Sequence, residues 1–447
     1  MRKNGFATGL MYVLLVFLIV GLAILIFFNY RINTQQMAER EAAEIAAATT
    51  PTPAPTGTPE PTPTPSRVTE TVTLAFAGDL VGQPGLTTDA ASSSGDDDDD
   101  SVTYDFFDEL KGILPSLNGV DFAACTLVGT AFDSEPYDTG YHMPAAIATA
   151  LAGSGFQVVN AATDHILELG FDGLESTVRT LQNEGLVPIG AYAAQQSHGA
   201  FMADIHGVKV ALLSYTCGTG GESVADRSWC LDVMTQDYMT NQEIVDYERI
   251  DADVAAVREA GADIVVCFAY WWDSTQYYTV VRQNQADVVD HLFAKGVDVV
   301  IGGGVKTPQP IEFRTVERED GTTANCAVCY SLSNLMSCFS DRYTNLSATA
   351  FITVSRDTET GECWLSGVSY EPLFMLDTDD YDDYVEPSFK FRLLDAYEAI
   401  ENYENGDKSV VSDKAYEAIQ TGIADLQSLM GEDFDIANGG VEMEYPY

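Results

Sequence analysis

Residues 158–190 read VVNAATDHILELGFDGLESTVRTLQNEGLVPIG. An apolar, β-rich run ends at Ala162, and an amphipathic helical pattern follows at residues 173–184. Between them, Thr163, Asp164 and His165 place polar side chains where the predicted strand ends. This order of strand, polar loop and helix is typical of α/β proteins, in which the loops at the carboxyl ends of the strands carry the functional groups.

The same alternation extends along the chain in both directions. Because most of these runs are apolar throughout, we expect largely buried strands in an α/β domain. Four later β-rich segments have no helix between them and predict an antiparallel run, giving a mixed sheet or a two-sheet sandwich. The predicted strands of the first group are 71–78, 121–128, 156–162, 208–216, 262–270 and 297–303, and the four later segments are PIEFRTVE, ANCAVCYSLS, ATAFITVS and ECWLSGVSY.

The amino-terminal part of the chain predicts a membrane anchor followed by a spacer. Residues 10–28 are uncharged and apolar, and a helix of that length would rise about 28 Å, close to the thickness of a hydrocarbon core. A cleaved signal peptide is the alternative, but its apolar region would be shorter and would be followed closely by small residues. We therefore expect an anchor at 1–31 and an extended Pro/Thr-rich linker at 32–66.

The rest of the chain divides into a main domain and a helical end. We expect the α/β domain at 67–375, followed at 376–447 by an acidic linker and a helical hairpin packed on the main domain. Phe389, Leu393, Tyr397 and Ile400 have the spacing of one helical face in the first of these helices. Core packing explains these aromatic residues better than ligand binding does.

The charge of the chain excludes some partners. From residue 67 onward there are 18 Lys+Arg and 64 Asp+Glu, so the whole net charge of −46 lies on this part. Such an acidic surface should repel nucleic acid and anionic lipid headgroups. It is also typical of a protein that must stay soluble outside the cell, so we expect a single-pass protein of the cell membrane with most of the chain extracytoplasmic.

Eight cysteines are present, and an exported domain could pair some of them. Cys217 and Cys230 flank one loop and are the first candidates for a disulfide. Cys326 and Cys329 form a close doublet, but no second doublet completes a zinc site.

Four predicted strands end in residues that could do chemistry. Gly78 and Asp79 follow the first strand, Thr163–His165 the third, Tyr270, Trp271 and Trp272 the fifth, and a glycine run with Lys306 the sixth. Since these loops should meet at one edge of the sheet, they define the candidate site. The glycine run is not a phosphate-binding loop, because no glycine directly precedes the lysine.

At these positions the sequence resembles the CapA family, membrane-anchored poly-γ-glutamate capsule synthesis proteins with a metallophosphatase-like (calcineurin-like) ectodomain. The resemblance covers roughly residues 71–370. It is carried by Gly78-Asp79, by Gly170 and Gly173 after the third strand, and by Gln309-Pro310-Ile311-Glu312. Tyr330-Ser331-Leu332-Ser333-Asn334 also matches the family's Tyr-Ser-Leu-Gly-Asn. The resemblance implies an α/β sandwich with mixed sheets and a role in a cell-surface polymer.

The metal-ligand positions depart from the family pattern. The family's Asn-Leu-Glu is Thr126-Leu127-Val128 here, its Asn-Asn-His is Thr163-Asp164-His165, and the following aspartate is Glu168. Its His-Trp-Gly is Tyr270-Trp271-Trp272, and the three histidines of the sixth loop are Gly303, Gly304 and Lys306. By this alignment Asp79 and Asp164 remain as metal ligands, and His165 remains as a proton donor. They are too few for a two-metal centre but could hold one divalent ion weakly.

Two further roles follow from the replaced positions. Lys306 could supply the positive charge that a metal would otherwise give to Asp79 or Asp164. Tyr270, Trp271 and Trp272, with Lys306 and Gln309, could bind a glycan or peptide at the mouth of the site, or the aromatic rings could fill the volume left by metal and water.

The sequence therefore predicts a non-catalytic scaffold or binding protein in the synthesis, export or anchoring of a capsule or poly-γ-glutamate. Its expected partners are the membrane, the polymer and the membrane proteins of synthesis or export. One alternative is a single-metal hydrolase of a phosphoester or amide bond, with Asp79 and Asp164 as ligands and His165 as general acid. The other is a surface module that binds glycan or peptide through the aromatic cluster.

Overall fold

The computed structural model describes residues 68–93, 102–138, 140–195, 199–239, 241–271, 277–385 and 387–446. The predicted anchor and linker at 1–66 lie outside the described residues. Among the helices that are described, none is long and apolar enough to cross a membrane.

The strands are named in chain order. They are β1 (Thr69–Val81), β2 (Ala91–Ser93), β3 (Val102–Tyr104), β4 (Phe122–Val128), β5 (Thr130–Ala131), β6 (His142–Met143), β7 (Val158–Asn160), β8 (Val187–Ile189), β9 (Phe201–Ile205), β10 (Val208–Thr216), β11 (Thr235–Asp237), β12 (Asn241–Val245), β13 (Ile264–Tyr270), β14 (Val299–Gly303), β15 (Pro308–Glu317), β16 (Thr323–Leu332), β17 (Leu346–Asp357), β18 (Cys363–Asp377), β19 (Phe391–Asp395) and β20 (Val441–Glu442). The helices are α1 (Pro84–Ala90), α2 (Phe107–Leu110), α3 (Leu114–Leu117), α4 (Ala146–Gly153), α5 (Gly170–Asn183), α6 (Tyr247–Glu259), α7 (Gln283–Lys295), α8 (Ala396–Glu404) and α9 (Asp413–Met430).

Two mixed sheets form the body of the protein. The first has the order β19-β18-β17-β1-β4-β7-β8, with β20 also paired to β18, and the second has the order β15-β16-β14-β13-β10-β9. In the first sheet the parallel strands β1, β4, β7 and β8 form one end and the antiparallel strands form the other. In the second sheet the parallel strands β10, β13, β14 and β16 form the centre, with β9 and β15 antiparallel at the edges. The predicted mixed α/β architecture, with its four late antiparallel segments, is confirmed.

The main core lies between the two sheets. Alternate residues of β1 separate the layers: Leu74 and Phe76 point into the core between the sheets, whereas Ala75 and Ala77 belong to the cluster on the outer face. The Phe76 ring meets that of Phe268 from the second sheet at 5.8 Å between centroids. Helices α1, α2 and α4 cover the first sheet, and α6 and α7 cover the second. The result is four layers, helix–sheet–sheet–helix.

The carboxyl-terminal segment differs from its prediction at one point. Helices α8 and α9 are present and pack side by side, with the Tyr403 and Tyr416 rings stacked at 4.1 Å. Leu393, however, is in strand β19 rather than in the first helix, because residues 391–395 pair with the end of β18 and extend the first sheet. The helical face predicted to start at Phe389 is therefore wrong in its first half.

A buried ion-pair network ties the second sheet to its outer helices. Asp298, just before β14, is 5% exposed. Its carboxylate accepts hydrogen bonds from Arg258 at 2.5 Å, from Arg318 at 2.5 Å and from the backbone N–H of Val265 at 2.7 Å. Removing the acid would leave two guanidinium groups partly buried without their partner, which costs more than the loss of an exposed pair.

We expect Asp298→Ala to lower the free energy of unfolding by about 3–5 kcal/mol, measured by urea denaturation. Asp290 is the matched control, because it pairs with Arg314 at the surface and its side chain is 63% exposed. Asp290→Ala should cost less than about 1 kcal/mol. Equal costs for the two variants would contradict the structural role of Asp298.

Candidate functional site

The candidate site lies where the carboxyl ends of the parallel strands meet. Asp79 is near the end of β1, and Thr163–His165 follow β7 in the same sheet. Tyr270 ends β13, and the glycine run at 302–304 ends β14, in the second sheet. The backbone contacts below show that the two sheets approach each other at this edge.

Asp79 is the most deeply buried acid of the site, at 2% exposure. Its backbone N–H donates to the carbonyl of Ser333 at 2.8 Å. A Cβ at the preceding Gly78 would lie 2.1 Å from the same carbonyl, so only glycine fits there. The Gly-Asp pair is thus explained by a close backbone approach between β1 and the end of β16, which fixes where the carboxylate lies.

The Asp79 carboxylate is closed off by the end of β14. Its Oδ2 accepts a hydrogen bond from the backbone N–H of Gly304 at 2.7 Å. A Cβ on Gly303 would lie 2.5 Å from Asp79 Oδ1, so that residue also leaves no room for a side chain. Gly304 has φ +86° and adopts a backbone conformation that L side chains disfavour. The glycine run therefore brings backbone, not a ligand side chain, against the acid.

Burial raises the pKa of Asp79 to about 7. The Gly304 N–H opposes this rise, the negative charge of Asp164 adds to it, and the positive charge of Lys306 opposes it. The two acids predicted as metal ligands are therefore near enough for their charges to interact.

Lys306 has the role of a nearby cation at the Asp79 carboxyl, as the sequence suggested, but the direct hydrogen bond comes from Gly304. The φ of Lys306 is +67°, a conformation unusual for a residue with a side chain. The Lys306 carbonyl accepts hydrogen bonds from Ser333 Oγ at 3.2 Å and Asn334 Nδ2 at 3.1 Å, which hold this turn. The ammonium group lies 5.3 Å from the centre of the Phe339 ring.

Asp164 and His165 form a small polar cluster with Glu168. His165 Nδ1 is 2.9 Å from Glu168 Oε2, and its Nε2 is 3.7 Å from Asp164 Oδ2. The imidazole also lies against the Tyr141 ring, at 3.8 Å between centroids. Carboxylates therefore face both ring nitrogens, which orients the imidazole.

A buried polar network beneath the site was missed by the sequence analysis. Asn160, at the end of β7, donates to Thr126 Oγ1 at 3.2 Å and accepts from Ser214 Oγ at 2.5 Å and from the N–H of Ala162 at 3.1 Å. Ser214 lies on β10, so this network joins the two sheets. The signal in the sequence was a polar residue inside an apolar strand, which must find partners when buried.

Two residues predicted to bind substrate have structural roles instead. Trp271 is 2% exposed, and its indole N–H donates to the Tyr330 carbonyl at 2.7 Å. Gln309 is fully buried; it donates to the carbonyls of Tyr278 at 3.2 Å and Val280 at 2.9 Å and accepts from Gln285 at 2.9 Å. A side chain so enclosed has no face left for a ligand.

The other aromatic positions do not restore a binding platform. Tyr270 is 3% exposed and packs with Val81 and Val128, the valine that stands in the place of a family glutamate. Because Tyr270 and Trp271 are buried, their rings fill space inside the protein. These two residues do not form an open aromatic surface. Trp272 lies outside the described residues.

The predicted disulfide is also corrected. Cys217 and Cys230 are free and buried, and the Cys217 thiol contacts the Met234 sulfur at 3.7 Å. Cys326 and Cys329 fall on opposite faces of β16, one in the outer core and one in the core between the sheets. They cannot form one zinc site without leaving the strand.

A comparison with protein families matches residues 73–338 to the bacterial capsule synthesis protein family, PGA_cap. The chain belongs to this family. The match covers well over half of the chain and includes every motif discussed above, so the resemblance found in the sequence is confirmed. The search of curated proteins found no match.

Solved structures with low similarity were also found. They include the calcineurin-like phosphoesterase YfkN from Bacillus subtilis (10% identity, 81% of this chain and 99% of that chain, TM-score 0.40) and a phosphatase from Mycoplasma pneumoniae (10%, 68% and 94%, 0.39). A 5'-nucleotidase precursor from Thermus thermophilus is 11% identical over 80% of this chain and 60% of its own, with a TM-score of 0.38.

In this PGA_cap protein, the residues at the candidate site do not fit the two-metal centre of a metallophosphatase. Such a centre needs about two cations held 3.5–4 Å apart by several side chains. Here Asp79 is enclosed by Gly303 and Gly304, and Val128 offers no ligand atom. Among the described residues, no group of three or more His, Cys, Asp or Glu side chains is arranged to hold a metal ion.

The pKa of Asp79 gives a test of this geometry. The folded value of about 7 lies above the ordinary 3.8, so the folded state binds the proton more tightly than the unfolded chain. Stability should therefore fall as pH rises from about 4 to about 7 and stay constant above, with an upper bound of about 4 kcal/mol for this group. Asp79→Asn should remove that part of the pH dependence.

The measurement is urea denaturation of both proteins between pH 4 and 8. The stability of Asp79→Asn relative to wild type should increase with pH over this interval. Asp226→Asn, at an exposed position, is the control and should follow the wild-type profile. Parallel profiles for wild type and Asp79→Asn would show that the carboxyl is not buried as described.

Proposed function

We propose that this PGA_cap protein is a non-catalytic member of its family that acts as a scaffold or binding protein for a cell-surface polymer. Family membership supports the connection with capsule synthesis. The replaced ligand positions support the loss of metal-dependent hydrolysis. In this proposal the apolar segment at 10–28 anchors the protein in the membrane, and the Pro/Thr-rich linker holds the domain outside it.

One observation carries the non-catalytic part: protein groups occupy the space around the Asp79 carboxylate. The Gly304 N–H donates to Oδ2, and Gly303 approaches Oδ1 so closely that even a methyl group would clash. A carboxylate ligand of a metal needs an open side facing the ion, and a neighbouring histidine would need a side chain where these glycines have none.

Electrostatics favours the same conclusion. Burial raises the pKa of the Asp79 carboxyl to about 7, so burial favours its neutral form. The positive charge of Lys306 opposes this rise, taking part of the role that a bound cation would have in a catalytic relative. The site thus keeps its acid in the fold without a metal ion.

A single-metal hydrolase is the second candidate, and the interaction between the charges of Asp79 and Asp164 favours it. The negative charge of Asp164 raises the pKa of Asp79, and a divalent ion would stabilise two such neighbouring acids in their charged form. His165, already oriented by Glu168, would then lie next to a ligand. The two candidates differ in whether a divalent metal ion binds at Asp79 and Asp164 at all, and that can be measured directly.

We expect the purified full-length protein, after exposure to Mn²⁺ or Zn²⁺ and gel filtration, to retain no stoichiometric metal by elemental analysis. Asp79→Asn and the exposed control Asp226→Asn should give the same background. One metal ion per chain in wild type and in Asp226→Asn, but not in Asp79→Asn, would support the hydrolase and contradict this proposal.

The scaffold role is tested in the cell. In a strain that lacks this gene, we expect both the wild-type gene and the Asp79→Asn variant to restore the amount of surface polymer to within about twofold, because no catalytic carboxylate is involved. Removal of residues 1–31 should abolish restoration, since the anchor is required. Loss of polymer in Asp79→Asn at normal protein levels would argue for catalysis.

A further inference from the structure

A cavity of about 850 Å³ lies against helix α8 and is lined by none of the residues of the candidate site. It is bounded on one side by the segment at 111–118 and by Ser154, which precede β4 and β7, and on the other by β19, α8 and the loop at 407–411. Its volume is in the upper part of the range of ligand-binding pockets.

The walls of the cavity combine apolar surface with charges of both signs. The apolar part includes Leu114, Pro115, Leu117, Val410 and Val411. The cations are Lys111 and Arg392, and the acids are Asp395, Glu398 and Asp407. Mixed charges around an apolar floor are unsuited to a polyanion and to a purely apolar ligand, because each would leave one set of charges unpaired.

Arg392 is the buried cation of this cavity, at 7% exposure. Its guanidinium lies over the Phe389 ring at 3.8 Å, and its Nη2 donates to Asp108 at 2.7 Å. Among the described residues that is its one hydrogen bond, and its Nε is buried without an acceptor. A guanidinium has five N–H donors, so a ligand carboxylate at this wall would meet the Nη donors that Asp108 does not take, already fixed in one plane.

The three acids of the cavity differ in burial and in whether they bind other parts of the protein. Asp395 is committed to the fold, because its carboxylate accepts the N–H groups of Tyr397 and Glu398 and caps α8. Glu398 and Asp407 are exposed and stand at the mouth of the cavity. They are positioned to face a positive group of a ligand whose carboxylate lies deeper, beside Arg392.

We propose that this cavity binds a short peptide with free termini, with its carboxylate at Arg392 and its ammonium group at Glu398 and Asp407. The apolar walls would contact its side chains, and Asn118 and Asn402, which also line the cavity, would hydrogen-bond its amides. A single amino acid would leave most of this volume empty. The inference does not depend on the function proposed for the site at Asp79.

The test uses purified full-length protein and a panel of tripeptides with free termini, measured by isothermal titration calorimetry and ligand-observed NMR. We expect saturable binding of at least one tripeptide with Kd below about 1 mM. Amidation of its carboxyl terminus, or Arg392→Gln, should weaken binding about tenfold or more, and acetylation of its amino terminus or Glu398→Gln should weaken it to a smaller extent.

Two variants on α8 keep the test independent of the stability of Arg392→Gln. Asn402→Trp adds bulk at an exposed residue that lines the cavity and should abolish binding. Glu401→Trp adds the same bulk at the neighbouring exposed residue, which does not line it, and should leave binding unchanged. Absence of saturable binding by every tripeptide, or binding that ignores amidation and Asn402→Trp, would overturn the proposal.

Discussion

The face-to-face packing of two mixed sheets is the constraint on which the rest of the structure depends. Phe76 of β1 and Phe268 of β13 meet across the core, and the ends of β1 and β14 approach each other at one edge of the same packed sheets. The approach is so close that Gly78 must lie against the Ser333 carbonyl and Gly303 against the Asp79 carboxylate. A buried acid at this junction needs compensation from nearby groups, because burial without partners is costly. The backbone N–H of Gly304 and the charge of Lys306 provide it.

The replaced positions act together rather than separately. In the family resemblance, histidines occupy the sixth loop and a glutamate ends the second strand, whereas here glycines and Val128 occupy those places. Each glycine allows the backbone to move into volume that a ligand side chain would need, and Val128 packs with Tyr270 and Val81. Gly302 shows the same effect, since a Cβ there would lie 2.3 Å from the indole nitrogen of Trp271. A histidine at Gly303 would place its Cβ 2.5 Å from Asp79 Oδ1, and one at Gly304 would place it 3.0 Å from the Trp271 carbonyl oxygen.

The sequence alone predicted much of the fold, because short-range patterns of apolar residues identify individual strands and helices. Apolar runs of the right length predicted strands β1, β4, β10, β13 and β14, and the helix predicted at 173–184 is present as α5 (Gly170–Asn183) because its apolar period is regular. The predicted meeting of the strand ends followed from their parallel order. The sequence left open whether Trp271 binds a ligand or fills the core, and it gave no sign that Gln309 is buried, because both residue types serve in binding sites and in hydrogen-bonded cores. Strand β19 was mistaken for helix because the apolar spacing that continues into α8 begins within it.

Strand β19 also joins the carboxyl-terminal helices to the first sheet. By joining the first sheet, β19 carries Arg392 and Asp395 to the edge of the sandwich and starts α8 directly from the sheet. Helix α9 then packs closely against the first sheet, with Gly422 near Leu346 of β17 and Phe374 of β18. Because the segment after residue 376 shares the core between the sheets, the helical end is part of the main fold rather than an appendage. A ligand held between β19, α8 and the segment at 111–118 would therefore contact the same folded domain that carries Asp79, even though the two sites are chemically unrelated.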